Sequence, residues 1–316
     1  MSRKVVTMYL SHFFSSSKPV MLALAVVGLF SLGTSSTPVD HRREAVVAAK
    51  MIPSAAPPSR QTEDLCGPHN RPSTSDPLPA EEALRKKVEL LQSGLAFLES
   101  RGSYSAQMAK QEVVGGELLP EHIISLKCRQ QPFSVYLLWQ TGDPGREVLY
   151  IEGENQGRLI GHDGGWKARL PALSLSPNSG LAMRDSRYPV TNAGLGGLID
   201  LMIGVHRTDL QLASYTTCDY EPHVAFDGRD CQAFTTVYKD PKSSPQYRKS
   251  VTLIDREWNV PLSSQHYEWP RPGLDRSGDE FDAATLIESY QFTDVDFDRP
   301  LTDADFDRQN DNYAFR

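Results

Sequence analysis

Residues 133–166, FSVYLLWQTGDPGREVLYIEGENQGRLIGHDGGW, constrain the fold of this chain more than any other stretch. Three short runs rich in β-branched and aromatic residues are separated by Gly, Asp and Asn turns, which predicts an antiparallel meander. In an extended first run, Phe133, Val135, Leu137 and Trp139 point one way, and Ser134, Tyr136, Leu138 and Gln140 the other. One face is therefore large and apolar. Such a face must either close over a core or hold an apolar ligand.

The rest of the chain says what can cover it. Pro79 suits a helix start, Glu81 and Glu82 favour the positive end of the helix dipole, and Gly102 is a stop. Between them Leu84, Val88, Leu91, Leu95 and Leu98 recur at steps of four and three, one apolar stripe. A second helix is expected over about 195–207, with Leu198, Leu201, Met202 and Val205 on one side. Strands are expected over 103–114 and 122–130, which flank Gly115-Gly116. Others are expected over 224–226 and 231–238 around Asp227-Gly228, over 251–256 and 260–269, and over 286–297. Many antiparallel strands with two helices and no internal repeat predict one α+β domain over 79–316.

The N-terminus reads as an export signal. Arg3, Lys4 and Lys18 precede an apolar run from Val20 to Leu32 and then the small residues Gly33 to Ser36. The run is short for a membrane span, and no Cys follows it to take a lipid anchor. Cleavage of residues 1–36 is expected to deliver the protein to the periplasm or cell envelope, with a retained N-terminal anchor as the alternative. Residues 37–78 are rich in Pro, Ser and Ala without apolar periodicity and are expected to form a flexible tether. Removing the three N-terminal cations would take the net charge from −7 to −10. That balance argues against nucleic acid as a partner.

In an oxidising compartment the four cysteines could pair. Cys218 and Cys231 flank the expected turn at residues 227–229 and are the best candidate disulfide; Cys66 with Cys128 is a second pairing. No zinc-ligand spacing occurs.

Signatures of catalysis are absent: there is no GxSxG, HExxH, P-loop or GxGxxG. His162-Asp163-Gly164-Gly165 reads as a turn, because adjacent residues on a strand face opposite sides. Asp294, Asp296 and Asp298 begin like a calcium loop, but Arg299 and Asp305 stand where Gly and Glu belong. His206 and His266 are solitary. A non-enzymatic protein without cofactor or metal is expected.

Three stretches resemble a known family: SYSAQMAKQEVVGGELLPEHIISLKCRQQPFSVYLLWQ with GREVLYIEGENQGRL, then SRYPVTNAGLGGLIDLMI, then IDREWNVPLSSQHYEWP with SYQFTDVDFDRPLTDADF. Over about residues 80–315 the chain is similar to secreted bacterial domains of unknown function related to the LolA/LppX-like lipoprotein-sorting superfamily. The resemblance implies a strongly curved, incompletely closed antiparallel sheet, a LolA-like half-barrel with helices in its mouth. It also implies a cavity that takes lipid acyl chains. Together with the one-sided sheet, it makes the expected function that of a carrier or binding protein for a lipid or lipoprotein acyl chain. Envelope proteins are the other candidate partners, and a monomer is expected. The residues expected to line the cavity are Phe133, Val135, Leu137 and Trp139, Leu149 and Ile151 on the next strand, and Leu91, Leu95 and Leu98 from the first helix. The rival reading is an envelope interaction module with a packed interior.

Overall fold

Helix α1 (Ala80–Arg101) runs between the two residues that were expected to bound it: Pro79 is its N-cap, and Gly102, at φ 75°, closes it with an N–H bond to the Leu98 carbonyl. The computed structural model describes residues 78–211, 216–271, 273–274 and 278–315. The leader expected over 1–36, nearly all of the tether expected over 37–78, and Cys66 lie outside the described residues. No helix among the described residues is long and apolar enough to cross a membrane.

After α1 come β1 (Ser103–Val114), β2 (Glu117–Leu118), β3 (His122–Arg129), β4 (Ser134–Trp139), β5 (Glu147–Ile151), β6 (Leu159–His162) and β7 (Leu173–Leu175). Helix α2 (Gly194–Gln211) follows, then β8 (Thr216–Phe226), β9 (Arg229–Tyr238), β10 (Lys249–Asp255), β11 (Pro261–Tyr267), α3 (Gly278–Thr285) and β12 (Leu286–Asp296). They form one curved antiparallel sheet in the order β7-β6-β5-β4-β3-β1-β12-β11-β10-β9-β8, with β2 paired to β1 alone. The sheet is not closed. Its first and last long strands meet in the middle, where Met108 faces Phe292 and Lys110 faces Tyr290.

The two faces of the sheet carry different cores. On the inner face Tyr104, Met108, Ile124, Leu126, Val135, Leu137 and Val148 pack with Leu84, Leu91 and Leu98 of α1 and with Leu195, Ile199 and Met202 of α2. Each such side chain contributes roughly 1.5–3 kcal/mol by leaving water. On the outer face Tyr136, Leu149 and Ile160 are covered by Phe306, Tyr313 and Phe315 from the chain's last residues. Tyr136 and Tyr313 stack at 4.0 Å between ring centroids.

Close approach fixes where the helices sit. A Cβ on Gly94 would lie 2.3 Å from the Asn259 carbonyl oxygen between β10 and β11, so only glycine lets α1 press there. Gly94→Ala must push helix from sheet, and it is expected to cost about 1–3 kcal/mol; a urea midpoint unchanged from wild type would contradict this contact. At the start of α2 the Leu195 N–H donates to the Tyr104 hydroxyl at 2.7 Å.

Over β9 to β11 the inner face mixes polar side chains with its apolar ones. Thr236, Ser250, Thr252 and Ser264 are all buried there, and the hydroxyls of the last three lack a hydrogen-bond partner among the described residues. The Nζ of Lys87 on α1 is wholly buried and also lacks one. Nearby, Asp209 accepts from the Tyr238 hydroxyl at 2.7 Å and meets His206 Nδ1 at 2.8 Å.

The expected Cys218–Cys231 disulfide is not formed; both are buried free thiols, as is Cys128. Hairpin register explains this. Cys218 pairs across the ladder with Thr236 whereas Cys231 pairs with Val224, which separates them by about 17 Å of strand. A bond needs Cα atoms within about 7 Å.

Candidate ligand-binding cavity

Between the inner face of β1–β6 and the covering segments lies a cavity of about 320 Å³, at the lower end of ligand-pocket sizes. Its floor is sheet: Met108 from β1, Ile124 from β3, Leu137 and Trp139 from β4, Val148 from β5, Leu159 from β6, and Phe292 from β12. Its roof is Leu198 and Leu201 of α2 with Val190, Pro189 and Tyr188 of the preceding connection. Leu170, Leu173, Leu175 and Leu181 complete the side toward β7. The walls are apolar because each sheet residue takes the inner place in its strand's alternation, so a hydrocarbon chain would be gripped without specific bonds.

The expected lining residues divide three ways. Leu137 and Trp139 border the cavity. Phe133, Val135, Leu91, Leu95 and Leu98 pack in the inner core instead; Val135 and Leu91 are fully buried, and Phe133 lies against Tyr150 at 6.1 Å. Leu149 and Ile151 face the other side of the sheet, beside Phe306. The register accounts for it: Leu137 pairs with Val148, and Tyr136 with Leu149. Val148 and Tyr150 therefore hold the inner places on β5.

One end of the cavity is charged. Lys110 reaches Glu112 at 3.2 Å, the Asp185 carbonyl at 2.9 Å and Ser186 Oγ at 2.7 Å, which occupies all three of its donors. Burial lowers its ammonium pKa below the ordinary value, with Glu112 pulling against it. Arg146 lies over the Trp139 ring at 4.5 Å and donates to Asp185 at 2.8 Å. Burial pushes the Asp185 carboxyl up, but Arg146 and Arg184 outweigh it and hold the group below its usual range. Arg184 also bonds Asp163 at 2.8 Å. Next to this cluster Arg187 bonds Glu288 at 2.9 Å, while its backbone N–H donates to Glu112 at 2.9 Å. Tyr290 donates to the other oxygen of Glu112. Segment 184–188 is thus fastened to the sheet by charge and forms part of the cavity wall. Sequence reading missed it; the only signal was three charges within RDSR inside a Pro- and Ser-rich connection.

Other singled-out residues take structural places. Asp163 belongs to the Arg184 cluster. His266 Nδ1 sits 3.1 Å from Glu288. Asp296 accepts backbone N–H bonds from Asp298 and Arg299, which ends β12 locally.

Solved structures to which this chain is similar include a putative outer membrane lipoprotein-sorting protein domain from Vibrio parahaemolyticus, 15% identical, covering 71% of this chain and 97% of that one at TM-score 0.33. The lipoprotein LppX from Mycobacterium tuberculosis is 13% identical over 69% of this chain and 98% of that one, at TM-score 0.36. A LolA superfamily protein from Nitrosomonas europaea is 13% identical over 73% and 98%, at TM-score 0.20. At these identities and TM-scores the likenesses say nothing of ligand or role. No curated protein matches the chain. A family model does match, over residues 102–315, from the end of α1 through the outer-face residues Phe306 and Tyr313, and the chain belongs to that family, DUF1571, proteins of unknown function.

Proposed function

We propose that this is an exported, non-enzymatic carrier or binding protein that holds an apolar ligand, a lipid or lipoprotein acyl chain, between the curved sheet and α2. The observation that carries the reading is the apolar cavity itself: Met108, Ile124, Leu137, Val148, Leu198 and Phe292 surround space that side chains leave unfilled. A domain with no ligand to hold gains by covering such apolar walls, since apolar surface left uncovered forfeits burial free energy. Acyl surface entering it would gain roughly 25 cal/mol per Å² buried. In this reading residues 1–36 are a leader, 37–78 a tether, and 79–316 a monomeric binding domain of the periplasm or envelope.

Native mass spectrometry of protein purified from an exporting host tests this. A co-purifying lipid supports the reading, and a clean unliganded mass together with no uptake of an apolar fluorescent probe refutes it. Leu201 borders the cavity from α2 and is half-buried, so Leu201→Trp should fill the space with little loss of fold. Probe affinity is expected to drop about tenfold or more at an unchanged melting temperature.

A second reading, an envelope interaction module, draws on how tightly α1 closes the rest of the inner face: Leu84, Leu91 and Leu98 are essentially inaccessible. It predicts that no apolar probe binds either the wild type or Leu201→Trp.

A further inference from the structure

Five large apolar side chains stand exposed among the described residues, and four of them fall within one stretch: Trp166 at 80% exposure, Leu170 at 54%, Leu173 at 48% and Leu181 at 46%. Single exposed leucines are ordinary. Here the three leucines also border the cavity, so the outer apolar surface is continuous with the inner one. Trp166 stands on the one-turn 3₁₀ segment Gly165–Arg169, with Lys167 and Arg169 beside it. These two are the only charged residues between positions 164 and 181, and the stretch carries +2 in a chain of net −7. Neither makes an ion pair among the described residues; Lys167 Nζ only hovers 5.9 Å from the Trp166 ring.

We propose that this rim docks the protein on an anionic phospholipid bilayer. Trp166 and the leucines would enter the boundary between headgroups and chains, where an amphipathic indole is favoured, while Lys167 and Arg169 would meet lipid phosphates. Charge complementarity selects this occupant: a positive, apolar rim on an acidic protein fits a negative, apolar-cored surface. Continuity with the cavity supports it too, because a ligand passing between bilayer and cavity would keep its chain out of water. The inference rests on the acyl-ligand reading for its purpose, but its test is separate.

Flotation of the whole protein with phosphatidylcholine vesicles, with and without phosphatidylglycerol, is the experiment. Binding is expected only with phosphatidylglycerol and is expected to weaken with salt. Lys167→Gln with Arg169→Gln should weaken it about thirtyfold, and Trp166→Ser about tenfold. Uptake of an apolar probe in solution should survive all three substitutions, which separates docking from the cavity. Absence of flotation, or flotation indifferent to Trp166 and to both cations, overturns the proposal even if probe uptake persists. Flotation that depends on the rim in a protein that takes up no probe leaves the docking surface standing and removes the carrier reading alone.

Discussion

Lys87→Met is expected to raise the unfolding free energy by about 3 kcal/mol at pH 7. The Lys87 ammonium is fully buried on α1, and its Nζ has no hydrogen-bond partner among the described residues. Burial lowers its pKa from 10.5 to about 8, against weaker opposing pulls from Cys218 and Asp209. A folded value below the unfolded one means that the unfolded chain binds the proton more tightly. The penalty is therefore complete below pH 8 and disappears as the pH rises through 10.5. Methionine matches the length and carries no charge, so the advantage of the variant should shrink steadily over that window. Urea unfolding of both proteins at pH 7, 9 and 10.5 reads it. Equal stability at pH 7 would mean that the amine is solvated in the fold.

Arg187→Met is expected to act in the opposite direction, by about 2–3 kcal/mol at neutral pH, because a buried carboxylate loses one of its charged partners while keeping the others. Glu288 is 2% exposed in its side chain and accepts from Arg187 at 2.9 Å, with His266, Tyr188 and Tyr247 as its other partners. Burial pushes its carboxyl up, yet the neighbouring His266, Arg187 and Tyr247 together hold it below 4.5. That stabilisation is present above pH 4.5 and is lost as the pH falls through the lower folded value. Without Arg187 the carboxylate should take up a proton at higher pH, so the deficit of the variant narrows as the solution is acidified. Because segment 184–188 walls the cavity, apolar probe should also leave this variant faster. A melting temperature within a degree or so of wild type at pH 7 would contradict the role assigned to the pair.

The architecture was legible where local chemistry determined it. Pro79 and Gly102 bound α1, β1 occupies the expected residues 103–114, and Asp227-Gly228 turn with positive φ at both positions. Parity across a turn was not legible. Whether Leu149 or Val148 faces inward depends on how the loop after Trp139 folds back, and one residue reverses the face. The same limit applies to Cys218 and Cys231, which flank a real turn at unequal distances. The charged cluster joins Lys110, Arg146, Asp185 and Glu288 from four distant parts of the chain, and no periodicity brings such residues together. Lys87 could have been noticed, since it stands three residues after Leu84 on the buried face of α1.

The seam in which β1 pairs with β12 has a temporal meaning. Nearly the whole domain must exist before the middle of the sheet can form, and the outer face waits for Phe306, Tyr313 and Phe315 as well. Folding dominated by such remote pairings is slow. Truncation before β12 would therefore leave β1 without this partner and the two halves of the sheet unjoined.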